Sequence, residues 1–265
     1  MVDTRRPSLV PSRGVSAMSS FFSDEAKDRI VEAVRDVESK SSAEIVVTVR
    51  GRSDDYREVD LVAGLVVAAI TLGLLIYHPA ELDEDLMPLE TVAAFAIVTL
   101  IVSRVGAIKR ALLPRKKRDA RTLMAARAQF VEQGVSCTRD RSGILVFVSE
   151  LERAVRVVPD VGIDTAKLGD GWKASVERLE DAVRALDPTA FAAALASLGP
   201  VLEAKYPRRE DDVNELPDAP DIAPTSAAKA PAKTLAPETE AAAAEATAAK
   251  TSAAKAPAVE TEASS

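Results

Sequence analysis

Histidine and cysteine are almost missing from this chain of 265 residues, which has one of each, His78 and Cys137. A single cysteine excludes an intramolecular disulfide and fits a reducing compartment. A single histidine, placed among apolar segments, excludes His-based triads in the rest of the chain and most zinc sites. With no histidine partner, Cys137 reads as a small core residue rather than a nucleophile. Aromatic residues make up only 4% of the chain although hydrophobic residues make up 47%, so the apolar content is aliphatic and alanine. The N-terminal region has Arg5, Arg6 and Arg13 but no following apolar run, which argues against a signal peptide there. Residues 1–20 read as a disordered leader, with Met18 an alternative start.

Charge is unevenly spread. The formal net charge is −7, and from Arg208 onward eleven acidic residues face six basic ones. The remainder is nearly neutral, without the basic domain of a nucleic-acid binder, so no nucleic-acid partner is expected. Beyond residue 206 the chain is rich in Ala, Pro, Thr, Glu and Lys, and a Ser-Ala-Ala-Lys-Ala-Pro segment occurs at 226–231 and again at 252–257. Such a segment buries too little apolar surface to offset its ordering entropy, and 207–265 reads as a disordered tail.

Long apolar runs are what the chain does have. Leu61–Tyr77 holds seventeen residues without a charge, which as a helix spans roughly 26 Å, the short end of a bilayer core. A second stretch, Leu89–Ile108, is weaker and, counted from Leu86, reaches spanning length only if Glu90 and Arg104 snorkel. The alternative is a pair of buried core helices. The loop His78–Glu90 between them has no Lys or Arg and five acidic residues, whereas Arg50, Arg52 and Arg57 precede the first run and Arg104, Lys109, Arg110 and Arg115–Arg118 follow the second. The positive-inside rule then predicts a two-pass protein of the inner (plasma) membrane with both termini cytoplasmic. Small residues, among them Gly64, Ala68, Ala69 and Gly73, would let the two helices approach closely. Neither run has an ionisable residue at its centre, which disfavours a transporter. Arg115, Lys116, Lys117 and Arg118 read first as the cytoplasmic flank of a span and second as an anionic-lipid contact, so the lipid bilayer is the first partner expected.

Around these runs the pattern is mixed. Ser23 caps an amphipathic helix over 24–39, with Ile30, Val34 and Val37 on its apolar side. Ile45–Val49 and Ile144–Val148 lack alternation, as strands covered on both faces do. A helix is expected over 119–133, closed by Gly134. Arg153–Val158 follows Val148 closely enough to form an antiparallel hairpin. Two helices, 168–186 and 188–206, close the domain, the second opened by Asp187 and Pro188 and broken at Gly199-Pro200. The organisation expected is 21–58 and 109–206 as one α/β domain, interrupted by the hairpin 59–108.

Ala43-Glu44-Ile45-Val46-Val47 resembles the first strand of the TPM domain family. Arg141–Val148 followed by Arg153–Val158 resembles its central hairpin. Pro159–Asp164 is similar to its glycine-rich turn, with Gly162 matching, Asp160 at a usual glycine and Asp164 at a usual glutamate. The resemblance spans about 23–205. It implies a three-layer α/β/α sandwich on a small mixed sheet, membrane tethering, and either a phosphatase activity or an accessory role at a membrane complex. Family members are typically exported with a signal peptide and a terminal anchor; neither is expected here.

If the two apolar strands run parallel, two loops meet at the end of the sheet away from the hairpin: one carries Arg139, Asp140, Arg141 and Ser142, the other Asp160–Asp164, with Asp170 near. Carboxylates beside a glycine turn suit Ca²⁺ or Mg²⁺, or the positioning of water for phosphate chemistry. The bland alternative is solvated loop charge and a helix cap at Asp170. No cofactor is otherwise expected. The functional expectation is a membrane-anchored, non-catalytic accessory or interaction factor; the alternative is a metal-dependent phosphatase using the loop carboxylates.

Overall fold

A computed structural model describes residues 21, 23–78, 83, 85–209 and 214–229. The expected leader and most of the expected tail lie outside them.

Ser23 accepts a hydrogen bond from the Ala26 N–H at 3.2 Å and opens α1, Asp24–Lys40. Strand β1, Glu44–Arg52, follows, then the long apolar helix α2, Arg57–Tyr77, and its partner α3, Met87–Arg104. The second apolar stretch is not one helix: the chain breaks at Val105 and restarts as α4, Gly106–Leu112. Helix α5, Arg115–Glu132, leads to β2, Gly143–Ser149, and β3, Ala154–Pro159. Helices α6, Thr165–Ala185, α7, Pro188–Ala196, and α8, Leu198–Glu203, come next, followed by β4, Asp221–Ser226.

The sheet has the order β3-β2-β1-β4, with β1 parallel to β2 and to β4, and β2 antiparallel to β3. Alternate residues of β1 and β2 face opposite layers. Ile45, Val47, Val49, Ile144, Val146 and Val148 join the main core with α1, α6, α7 and α8, whereas Val46, Leu145 and Phe147 join a smaller core with Ala125 and Ala126 of α5. The result is the three-layer sandwich expected, and burial on both faces explains the unbroken apolar runs.

Strand β4 corrects the expected organisation, because it lies inside the segment assigned to the tail. Asp221-Ile222-Ala223-Pro224-Thr225-Ser226 contains a proline and little β-branched apolar mass, so it lacks a strand signature. It is an edge strand, where Pro224 is tolerated, and its register against β1 shifts between Arg50 and Arg52. Gly51 permits the fit: a Cβ there would sit 2.2 Å from the Pro224 carbonyl oxygen. Three further boundaries differ. Helix α5 starts four residues early, behind Pro114, so the basic run 115–118 forms its first turn. Helix α6 is capped by Asp164, not Asp170, with a left-handed Gly169 (φ 61°) interrupting it. The last helix breaks at Ser197 rather than at Gly199-Pro200, because a proline clashes with the carbonyl four residues before it, here Ala196. Cys137 is exposed rather than a core residue.

Helices α2 and α3 pack on one another, with a close approach at Gly64. A Cβ on Gly64 would lie 2.1 Å from Thr99 Oγ1 and 3.0 Å from Phe95. Ala68 is buried alongside it, but Gly73 faces open space. Both helices are long and apolar enough to cross a membrane, with mean hydropathies of 2.5 and 1.5. At their base, Lys109 and Asp60 form a buried ion pair at 2.9 Å.

Candidate functional site

The two loops opposite the hairpin do meet. Arg141, in the left-handed region at φ 54°, accepts the Gly162 N–H on its carbonyl at 2.9 Å. A Cβ on Gly162 would lie 2.4 Å from the Asp140 carbonyl oxygen and 2.5 Å from that of Arg141, so glycine is required for this approach. The Arg141 guanidinium then grips Asp160 bidentately, Nε to Oδ2 at 2.6 Å and a terminal nitrogen to Oδ1 at 2.9 Å. Oδ1 also accepts the Val161 N–H at 2.7 Å. Asp160 is buried, and the Arg141 hydrogen bonds hold its carboxyl below the usual range.

The remaining candidates disperse. Asp164 caps α6 through the Ala166 N–H at 3.1 Å and pairs with Lys167 at 3.3 Å. Asp140 pairs with Arg209 at 2.8 Å. The Arg139 backbone N–H donates to Glu215 at 2.7 Å. Asp170 is fully exposed beside Lys173. Every one of these carboxylates is engaged by a cation or a backbone donor, and the described residues contain no group of three or more His, Cys, Asp or Glu placed to hold a metal. The donor set therefore does not fit a Ca²⁺ or Mg²⁺ centre, which needs several converging oxygens.

A denser polar cluster lies at the opposite end of the sheet, where α2 leaves the domain. Buried Glu152 accepts the Tyr56 hydroxyl at 2.5 Å, the Ser53 N–H at 2.9 Å and the Ser149 hydroxyl. Burial and the Glu152 carboxylate push the Tyr56 phenol well above its ordinary pKa. Tyr56 sits in the left-handed region at φ 50° directly before α2. Nearby, buried Arg50 donates to Gln129 at 2.9 Å and pairs with Asp221 at 2.7 Å, tying β4 and α5 to β1. Of the basic flank, Lys117 is held by Glu58 at 3.1 Å, whereas Arg115 and Lys116 are exposed. Pattern reading missed these residues because charge adjacent to an apolar run reads as solvated. The one available signal was Arg50 at the end of an otherwise apolar strand.

No family model and no curated protein matches the chain. Its fold is similar to the NMR structure of the BA42 protein from the psychrophilic bacterium Bizionia argentinensis, at 16% identity and a TM-score of 0.46, covering 76% of this chain and 94% of that one.

Proposed function

We propose that the chain is a TPM-like α/β domain anchored in the inner (plasma) membrane by the α2–α3 hairpin, acting as a non-catalytic accessory or interaction factor for a membrane protein complex. The observation that carries this reading is the outward surface of the hairpin. Leu65 is 64% exposed, Leu74 69%, Leu89 65% and Val92 63%. A soluble monomer rarely leaves so continuous an aliphatic surface open to water, whereas a bilayer covers it. The acidic residues between the helices and the basic residues on both outer flanks favour a domain, and both termini, in the cytoplasm. The loop carboxylates favour a non-catalytic role: Asp160 is engaged by Arg141, Asp164 by a helix cap and Asp140 by Arg209.

The test is extraction of membranes at alkaline pH, followed by detergent purification and an assay with p-nitrophenyl phosphate. The reading predicts that the chain stays with the bilayer, retains a membrane partner in defined stoichiometry, and releases no phosphate. Release of the chain into the wash contradicts the anchor. Phosphate release abolished by Asp160→Ala and Asp164→Ala contradicts the non-catalytic role and favours a phosphatase.

A further inference from the structure

A cavity of about 400 Å³ lies where the hairpin meets the domain, between α4, the first turn of α5, the β2–β3 turn, β3 and α6. Six arginines line it: Arg110, Arg115, Arg118, Arg153, Arg156 and Arg184. Three carboxylates share the lining, and each is already engaged. Asp119 pairs with Arg156 at 2.8 Å, Glu180 lies 3.6 Å from Arg184, which also pairs with Asp181, and Glu152 is saturated by Tyr56, Ser53 and Ser149. Among the described residues, no carboxylate pairs with Arg110, Arg115, Arg118 or Arg153.

Several features leave this positive charge uncompensated. Arg118 Nε is buried without a hydrogen-bond partner. Arg153 is set in the left-handed region at φ 50°, a conformation that costs free energy in a non-glycine residue. Burial, Arg153 and Arg118 together lower the pKa of Arg110. Helix α5 has no acidic residue in its first turn and no side-chain cap, so its own N-terminal dipole adds to the positive potential. Four guanidinium groups that pair with no carboxylate among the described residues repel one another, and a bound anion relieves that repulsion. Their planar forks match the oxygens of a phosphate group.

We propose that this arginine cavity binds a phosphate group. A lipid phosphomonoester headgroup and free inorganic phosphate share that chemistry. The lipid source rests on the anchoring reading, since α4 would then lie at headgroup depth just beyond α3.

The experiment uses the full chain in a neutral detergent at constant ionic strength. It is titrated calorimetrically with dioctanoyl phosphatidic acid, dioctanoyl phosphatidylcholine and inorganic phosphate. The expected result is saturable binding of phosphatidic acid or inorganic phosphate but not of phosphatidylcholine. The double variant R118Q/R153Q should weaken it at least about ten-fold, an energy near 1.4 kcal/mol. R118K/R153K, which keeps charge but loses the fork, should weaken it less. R127Q/R178Q, which removes the same charge from exposed positions on α5 and α6 outside the cavity, should change it less than about two-fold, with an unaltered thermal midpoint in all variants reporting the fold. Competition by inorganic phosphate identifies free phosphate as an occupant; lipid binding without such competition identifies the headgroup. Equal weakening by R118Q/R153Q and R127Q/R178Q, or no saturable binding of either phosphate ligand, overturns the proposal. Anchoring is read separately, by flotation with phosphatidylcholine vesicles, so its failure leaves the inorganic phosphate titration standing.

Discussion

Arg141 and Asp160 form a two-pronged clamp, 2.6 Å and 2.9 Å long, between the loop that enters β2 and the turn that leaves β3. The clamp closes the sheet end opposite the hairpin. It ties the two candidate loops together through the buried Asp160 carboxylate.

Asp160→Ala removes three hydrogen bonds at a buried position and leaves the Val161 N–H without its acceptor. It should destabilise the domain by about 1–3 kcal/mol, read from urea unfolding. Because the native pKa of Asp160 is depressed, its contribution is present above the unfolded aspartate value and is lost as pH falls below that value through the lower native one. The variant should therefore lose part of the acid sensitivity of the parent chain. An unchanged acid limb would contradict the clamp.

Gly162→Ala forces a Cβ into the Asp140 and Arg141 carbonyls, and Gly51→Ala forces one into Pro224. The two changes should separate in outcome. The first should lower global stability by about 1–3 kcal/mol, as overpacking does. The second should release β4, seen as faster amide exchange over 221–226 with the exchange of β2 preserved.

Glu38 at the end of α1 is pushed up to about 8 from 4.5 by burial, opposed by the Ile45 N–H and raised further by Glu44 and Asp218, with Arg208 acting the other way. A carboxyl with a raised native pKa contributes its stability below the unfolded value and loses it as pH climbs towards the native one. Stability should thus decline between about pH 4.5 and pH 8. Glu38→Gln, which still accepts from Ile45, should flatten that decline and exceed the parent in stability at pH 8. A parallel pair of pH curves would contradict the assignment.

Lys109→Met leaves Asp60 buried beside an apolar neighbour. Breaking a buried pair on one side costs on the order of 3 kcal/mol, and the double variant K109M/D60L should recover much of it. Thermal unfolding in detergent measures both, and a double variant as unstable as the single one would count against the pair.

How far the fold could be read from the chain varies by element for physical reasons. Helix α1 and strands β1 and β2 were legible because both a cap (Ser23) and doubly buried aliphatic runs leave local signatures. The close contact of Gly64 was also readable from its size. Strand β4 was not, because its place depends on the approach of Gly51 to Pro224 and on the Arg50–Asp221 pair, whose residues lie 171 apart in sequence. The distal loops were correctly placed together, but their chemistry was not legible: whether Asp160 is free for an ion depends on the left-handed backbone of Arg141, which no pattern announces. The arginine cavity gathers α4, α5, β3 and α6, and of its arginines only Arg110, Arg115 and Arg118 stood out beforehand, as flanking charge.

The most direct test of the account is the sidedness of the hairpin. Cys137 is exposed on the domain, and Asp83→Cys places a second thiol in the loop between α2 and α3. A membrane-impermeant maleimide is applied to intact cells and then to opened membranes. The account predicts labelling of the Asp83 position from outside, with Cys137 reacting only after the membrane is opened. Labelling of both positions from the same side would contradict a spanning hairpin.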